Sequence, residues 1–427
     1  MRILFCCQFY APSVGGVQEV IRQLAERLVS RGHQVTVATT RLPNRNFEVL
    51  NGVVVKGFGV TGNLAGGMAG EIKEFQEYVL AGKFDVMLVY AAQQWTFDAL
   101  WTILDSIPFK KIFVPCGFSG LYELGYTKYF QAMPDVLRKF DHLVFNATQY
   151  RDIDFAREHG IASFTIVPNG ASEEVFSVAE DAKFRSRHGI PEKSFLFLTV
   201  GSLTGLKGHT ELAKAFALLQ VPEGQHATLI LNGNEVQRLD SGIVGLFGKL
   251  AGLLKTHGLI HFVSRALKKL FFKADTPKKI ASQINKCLSN KRVLVTDFPR
   301  GELTQAFMAA DLFVFASNIE YSPLVLYESA AAGTPFLSVD VGNSTEIAEW
   351  TGAGVICPSI VDAKGYTRVD AAVLAASMAD LMGQVDTLEK LGHAGKENWL
   401  ARLTWGKITL QYEHIFDTLK GTRISAR

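Results

Sequence analysis

The feature that most limits what this chain can become is a strand–glycine turn–helix–strand pattern that opens it and opens again near residue 195. Residues 3–9 (ILFCCQF) are a short apolar run that stops at the loop "YAPSVGG". Val17, Val20, Ile21, Leu24 and Leu28 then recur at helical spacing, Gly32 closes the helix, and "QVTVAT" (34–39) predicts the next strand. Further strands are expected at 52–56, 85–90 and 111–115. In the second pass "FLFLTVGS" (195–202) is the strand, "LTGLKGH" the turn, 210–219 the helix and "ATLILNG" (227–233) the next strand. Between the two lies "VPNGASEEVF" (167–176), whose Pro, Asn and Gly mark a connector. Strands alternating with helices in both halves predict an α/β protein of two open domains with parallel sheets. Ligands of such sheets sit at the carboxyl ends of the strands, so two facing domains share one cleft.

Composition agrees with this division. A chain of 427 residues is long for one core, and 48% hydrophobic with 20% charged residues describes a globular protein with ample interior. The five cysteines (Cys6, Cys7, Cys116, Cys287 and Cys357) are odd in number and form no CxxC pair. Reduced thiols in a cytoplasmic protein are therefore expected, rather than disulfides or a zinc site. "RILFCC" is too short for a signal peptide's apolar region, and no apolar run approaches the roughly 18 residues of a membrane span. Neither strand–turn–helix unit carries G-x-G-x-x-G, which speaks against a dinucleotide oxidoreductase. A net charge of +3 does not point to nucleic acid, and no such partner is expected.

The charge is unevenly placed. From Ser241 to Arg292 there are eleven Lys and Arg against a single acid, Asp275. Ile243, Leu246, Leu250 and Leu253 fall on one helical stripe, and Ile260, Val263, Leu267 and Leu270 continue the spacing. Two readings stand: an ordinary domain helix with a solvated basic face, or an amphipathic insert that adheres to an anionic membrane.

"IEYSPLVLYESAAAGTPFLS" (319–338) holds only two charges, Glu320 and Glu328. It follows the strand "DLFVFAS" (311–317) and leads into another, 335–339. Pro323 suits the first position of a helix with Ser322 as its N-cap, and Gly333 suits the position past its end. Glu320 then lies in the loop before the helix and Glu328 inside it. The amides of Leu324 and Val325 at the helix start form an anion site. Carboxylates beside such a site suit a ligand that carries both phosphates and sugar hydroxyls. Alternatively, Glu328 is a surface glutamate on the helix edge and Glu320 a loop carboxylate in a capping contact. Lys207, in "GSLTGLKGH", is placed to neutralise phosphates, unless it is a solvated lysine at a helix start. Gly15 and Gly16 open the first helix and permit close approach of a ligand to the backbone.

These pieces resemble the retaining glycosyltransferases of family 4, of the GT-B fold with two Rossmann-like domains. The likeness runs through "YAPSVGGVQEVIRQLAERLVSRGHQVTV", "VPNG", "VGSLTGLKGH" and "ADLFVFASNIEYSPLVLYESAAAGTPFLSVDVGNSTEI". The resemblance implies an N-terminal acceptor-side domain (1–175) and a C-terminal donor-binding domain (176–404) bearing the basic insert (241–292). "WGKITLQYEHIFDTL" (405–419) resembles the helix that returns to the first domain. It further implies transfer from a nucleoside-diphosphate sugar, without metal or other cofactor, to a saccharide or lipid-linked saccharide. Glu320 would contact the donor sugar and Lys207 the diphosphate, as the catalytic pair. Glu328 would hold the ribose, and Gly16 would sit beneath the phosphates. Three departures stand out. Ser202 replaces an arginine, Tyr321, Ser322 and Pro323 replace glycines, and Cys116 stands where many members have histidine, either as a sugar contact or as a small buried residue. A GT-B epimerase or phosphorylase, and a sugar-nucleotide-binding assembly protein without turnover, are the rival readings. The basic stretch fits a cytoplasmic enzyme peripheral to the membrane, acting in bacterial surface polysaccharide or glycolipid synthesis.

Overall fold

The computed structural model describes residues 1–234 and 276–421; the helical stripes expected between Ile243 and Leu270 lie outside these residues. The N-terminal sheet contains β1 (Arg2–Cys6), β2 (Gln34–Thr40), β3 (Val49–Leu50) and β4 (Val53–Phe58). A separate hairpin, β5 (Val60–Asn63) and β6 (Gly67–Gly70), intervenes before β7 (Val86–Tyr90), β8 (Lys110–Val114), β9 (His142–Phe145) and β10 (Phe164–Ile166). Their spatial order is β10-β9-β8-β7-β1-β2-β4-β3, parallel except where β3 meets β4. The second sheet comprises β11 (Ser194–Val200), β12 (His226–Asn232), β13 (Lys291–Thr296), β14 (Leu312–Phe315), β15 (Phe336–Val339) and β16 (Gly354–Cys357). It is wholly parallel, in the order β13-β12-β11-β14-β15-β16.

The period of two along β1 shows why the sheet is covered on both faces. Ile3 and Phe5 enter one core with the helix Gly16–Ser30, and Leu4 and Cys6 enter the other with Phe75 and Trp95. In each sheet the first strand lies between two windings: β1 between β2 and β7, β11 between β12 and β14. At such a reversal the loops leaving adjacent strands part to opposite sides, which opens a crevice at the carboxyl ends. Both crevices face the same cleft.

Two chain crossings join the domains side by side. Ala171 of the connector bridges to Thr404, its carbonyl accepts from Trp399 Nε1 at 3.1 Å, and its amide donates to Leu403 O at 3.1 Å. The helix Trp405–Gly421 then returns to the first domain, where Trp405, Ile408, Tyr412 and Phe416 are buried with Val20, Ile21 and Leu24. The end of the basic stretch is framework rather than insert. The helix Pro277–Cys287 buries Ile280, Ala281 and Ile284 in the second domain's core, and β13 is an edge strand of its sheet. The expected insert boundary at 292 is thus corrected, because apolar residues at i, i+1 and i+4 of this basic helix face the sheet.

Candidate functional site

The loops that leave β11 and β14 lie at the switch point of the second sheet and are fastened to each other. Asn318 N donates to Leu206 O at 2.9 Å, and Ser317 Oγ donates to the same carbonyl at 3.2 Å. Gly208 makes this approach possible: it adopts φ +71°, and a Cβ there would lie 1.8 Å from Ala316 O. The fastening brings Lys207 Nζ to 2.5 Å from Glu320 Oε1, which also accepts from Ser317 Oγ at 2.9 Å. The cation expected at the phosphates and the carboxylate expected at the sugar therefore form one ion pair, with Glu320 the better shielded (14% against 31% side-chain exposure).

The pair opens into a cleft of about 390 Å³ between the domains. Ser202, Lys207, Glu320, Ser322, Leu324 and Val325 form the second domain's wall; Gly16, Val17, Val20, Tyr90 and Cys116 form the first domain's. A side chain at Gly16 would meet nothing within 4 Å, so the missing Cβ leaves clear space. Gly15 is outside this lining, and a Cβ there would press on the Gln18 side chain at 2.6 Å. Ser202 also borders a neighbouring cavity of about 790 Å³, reached by Gly233, Asn234 and Asp297.

The helix after Glu320 spans Leu324–Ala332. Ser322 is not its N-cap: Pro323 holds that position with ψ 116°, no side chain caps the helix, and Ser322 Oγ lies 3.5 Å from Tyr327 Oη. The proline stays extended, which shifts the start by one residue and removes serine from reach of the first-turn amides. Leu324 and Val325, as the first two helical residues, have no intrahelical acceptor for their N–H groups. Gly333 ends the helix with φ +78°, as expected.

Glu328 is not a surface glutamate. It is 7% exposed and pairs with Arg300 Nη2 at 2.6 Å, and it does not border the 390 Å³ cleft. Arg300 had no signal in the sequence, because its helix, Arg300–Ala309, meets Glu328 only through tertiary packing. Other residues that sequence reasoning passed over are Asn169, Tyr150 and Asp152. Asn169 Nδ2 donates to Ser322 O at 3.2 Å and Tyr150 Oη to Glu320 O at 2.6 Å. The invisible signal is again distance along the chain.

Cys116 borders the cleft with φ +61°. Burial, reinforced by the nearby Asp152 carboxylate, pushes its thiol up to about 12, so it is a neutral group at pH 7. Asp152 itself is buried, which pushes it up to about 6 despite the hydrogen bond from Gly117 N at 2.8 Å. Among the described residues no group of three His, Cys, Asp or Glu side chains is arranged to hold a metal ion, and no helix is long and apolar enough to cross a membrane.

Comparison with known proteins places this geometry. Residues 180–396 match the family model "Glycosyl transferases group 1", and residues 14–175 match "Glycosyltransferase Family 4". The chain belongs to the group 1 glycosyl transferases, with a first domain of the family 4 type. D-inositol 3-phosphate glycosyltransferase of Nocardiopsis dassonvillei is 28% identical over 276 residues, covering 64% of this chain and 54% of that one. Alpha-maltose-1-phosphate synthase of Mycobacterium tuberculosis is 25% identical over 182 residues, covering 38% and 45%. The chain thus spans about half the length of the curated relatives it matches. Among solved structures, sucrose-phosphate synthase from Thermosynechococcus elongatus superposes with a TM-score of 0.70 at 18% identity, covering 99% of this chain and all of that one. HepE of Anabaena, solved with UDP, gives 0.68 at 16% identity, covering 98% and 100%. The architecture is the GT-B fold.

Proposed function

We propose that this protein transfers a sugar from a nucleoside-diphosphate sugar to a saccharide or lipid-linked saccharide, retaining the anomeric configuration. The observation that carries the reading is the Lys207–Glu320 pair, on two fastened switch-point loops, facing the bare backbone of Gly16 across the cleft. A diphosphate entering beside the Leu324 and Val325 amides draws the Lys207 ammonium towards itself and frees Glu320 for the sugar. In the transition state Lys207 and those amides receive the charge that develops on the leaving diphosphate. Glu320 stabilises the positive charge that develops on the sugar. The acceptor oxygen bonds to the anomeric carbon on the face that the diphosphate leaves, and the acceptor's proton passes to a departing phosphate oxygen. In this reading Glu328, paired with Arg300, holds the ribose, and no metal or other cofactor takes part.

HepE, whose structure has also been solved with UDP-glucose, supports a nucleotide-sugar donor by analogy of fold. A thermal-shift panel of UDP-, GDP- and ADP-sugars tests the donor. A donor at 100 times its dissociation constant stabilises by about 2.7 kcal/mol, and a panel with no shift rejects the reading. The basic, apolar-striped sequence of 241–275 supports a lipid-linked acceptor at an anionic membrane surface, and thereby a cytoplasmic, peripheral location. Flotation with liposomes that contain or lack anionic lipid tests that part; failure to float with either rejects it.

A further inference from the structure

Three successive carbonyls of the motif are held from three separate parts of the molecule. Tyr150 Oη of the first domain donates to Glu320 O at 2.6 Å. Asn343 N of the second domain donates to Tyr321 O at 2.8 Å. Asn169 Nδ2 of the connector donates to Ser322 O at 3.2 Å. The segment that carries Glu320 is therefore tied to the first domain and to the connector as well as to its own domain.

Tyr321 makes the deepest of these ties. Its ring borders the cleft and lies against Tyr150, with centroids 5.1 Å apart, while its hydroxyl accepts from Asn146 N at 2.9 Å. Burial and the nearby Asp152 carboxylate push that hydroxyl well above its ordinary value, so it stays neutral. Asp152 in turn holds the backbone of the opposite wall, accepting from Gly117 N at 2.8 Å and from Ile153 N at 2.9 Å. Cys116 of that wall belongs to the loop Cys116–Gly117–Phe118, whose three residues have φ of +61°, +93° and +46°. Backbone kept in such sparsely populated conformations persists only where its surroundings over-determine it. Tyr321 is one such constraint, since a Cβ on Gly117 would come within 2.9 Å of the tyrosine ring.

We propose that Tyr321 and Asp152 are positioning residues that set the register between the two walls of the cleft, fixing Glu320 on one side against the Cys116 loop on the other. Neither is a catalytic residue. Tyr321 thereby links the loop that carries Glu320 to the first domain. The kinetic half of this inference rests on the proposed sugar transfer; the structural half does not.

The test uses the full-length protein and Tyr321→Phe, which keeps the ring and removes the hydroxyl, with Asp152→Asn as a second variant. Hydrogen–deuterium exchange is expected to rise roughly tenfold in both the 115–121 and 318–325 segments, while the rest of the first domain keeps its protection. With the nucleotide sugar that the panel identifies, kcat is expected to fall ~10- to 100-fold while the donor KM stays within about threefold, as for misplacement of a catalytic group. Unchanged exchange in the 115–121 segment overturns the proposal, and so does wild-type kcat in Tyr321→Phe. A uniform rise in exchange across the domain also overturns it, because that marks a stabilising role only. If the wild-type protein binds no donor in the panel, the transfer reading fails, and the exchange measurement still decides the link between the walls.

Discussion

The two walls of the cleft are built on sheets of the same winding, yet they handle charge in opposite ways. On the second domain's wall the charges face the cleft: Lys207 and Glu320 meet there at its edge. The first domain's wall presents Gly16, Val17, Val20, Tyr90 and Cys116, none of them ionised at pH 7, and places its carboxylates behind the surface. Asp152 holds the Cys116 loop, and Asp98 accepts from Leu64 N at 2.8 Å and Tyr129 Oη at 2.7 Å, which secures the β5–β6 hairpin. One wall supplies groups that can exchange partners with a charged ligand. The other supplies shape, held rigid by buried carboxylates. Similar topology therefore does not imply similar work, and the difference lies in whether the polar groups stand in front of the backbone or behind it.

The largest expected effect breaks the charged wall. Lys207→Ala or Glu320→Gln should each lower sugar transfer ~100-fold or more, the scale of losing a transition-state stabiliser. Because the two side chains act as a pair, the double variant should lose much less than the product of the single losses. Steady-state transfer assays check both statements.

A second experiment probes the carboxylates behind the quiet wall. Burial raises Asp152 to about 6, above its ordinary value of 3.8, so the folded protein holds that proton more tightly than the unfolded chain. Between about pH 4 and 6 the folded state then binds more protons, and stability falls as pH rises through that window before levelling off. The contribution lost between pH 4.5 and 6.5 is about 2 kcal/mol. Asp152→Asn should flatten the stability profile by that amount relative to wild type in urea melts at several pH values. A profile of unchanged slope would show that the carboxylate is not held as described.

Filling the space opposite the charged pair should have a smaller effect. Gly16→Leu projects into the open volume at that position, and the fold itself has nothing within 4 Å for a Cβ to strike. Donor binding should weaken roughly tenfold while the melting temperature stays close to wild type, since crowding a bound ligand costs about 1–3 kcal/mol. Titration calorimetry with the identified donor reads the first quantity and scanning calorimetry the second. The smallest effect concerns Cys116. Its thiol, pushed up to about 12, should resist iodoacetamide at pH 8, while exposed Cys287 reacts. Peptide mapping that finds Cys116 alkylated as fast as Cys287 would contradict the neutral wall.

What the sequence determined by itself is what repeats locally. Short apolar runs and helices of period 3.6 mark the opening units of both domains, most bounds lying within one or two residues of those observed, although the first strand, expected at 3–9, ends at Cys6. Pro323 and Gly333 bracket the helix after Glu320, and Lys207, Glu320, Gly16 and Cys116, each legible in a local motif, all line the one cleft. Turn chemistry and periodicity act between near neighbours, so they are written in spacing. Tertiary structure decided the partnerships. Ser322 lost the cap to Pro323, Glu328 was drawn to Arg300, and Tyr321 was carried into the other domain beside Asp152. Those outcomes depend on which strands end side by side and on which groups burial forces to find a partner, and no local periodicity or turn chemistry records either.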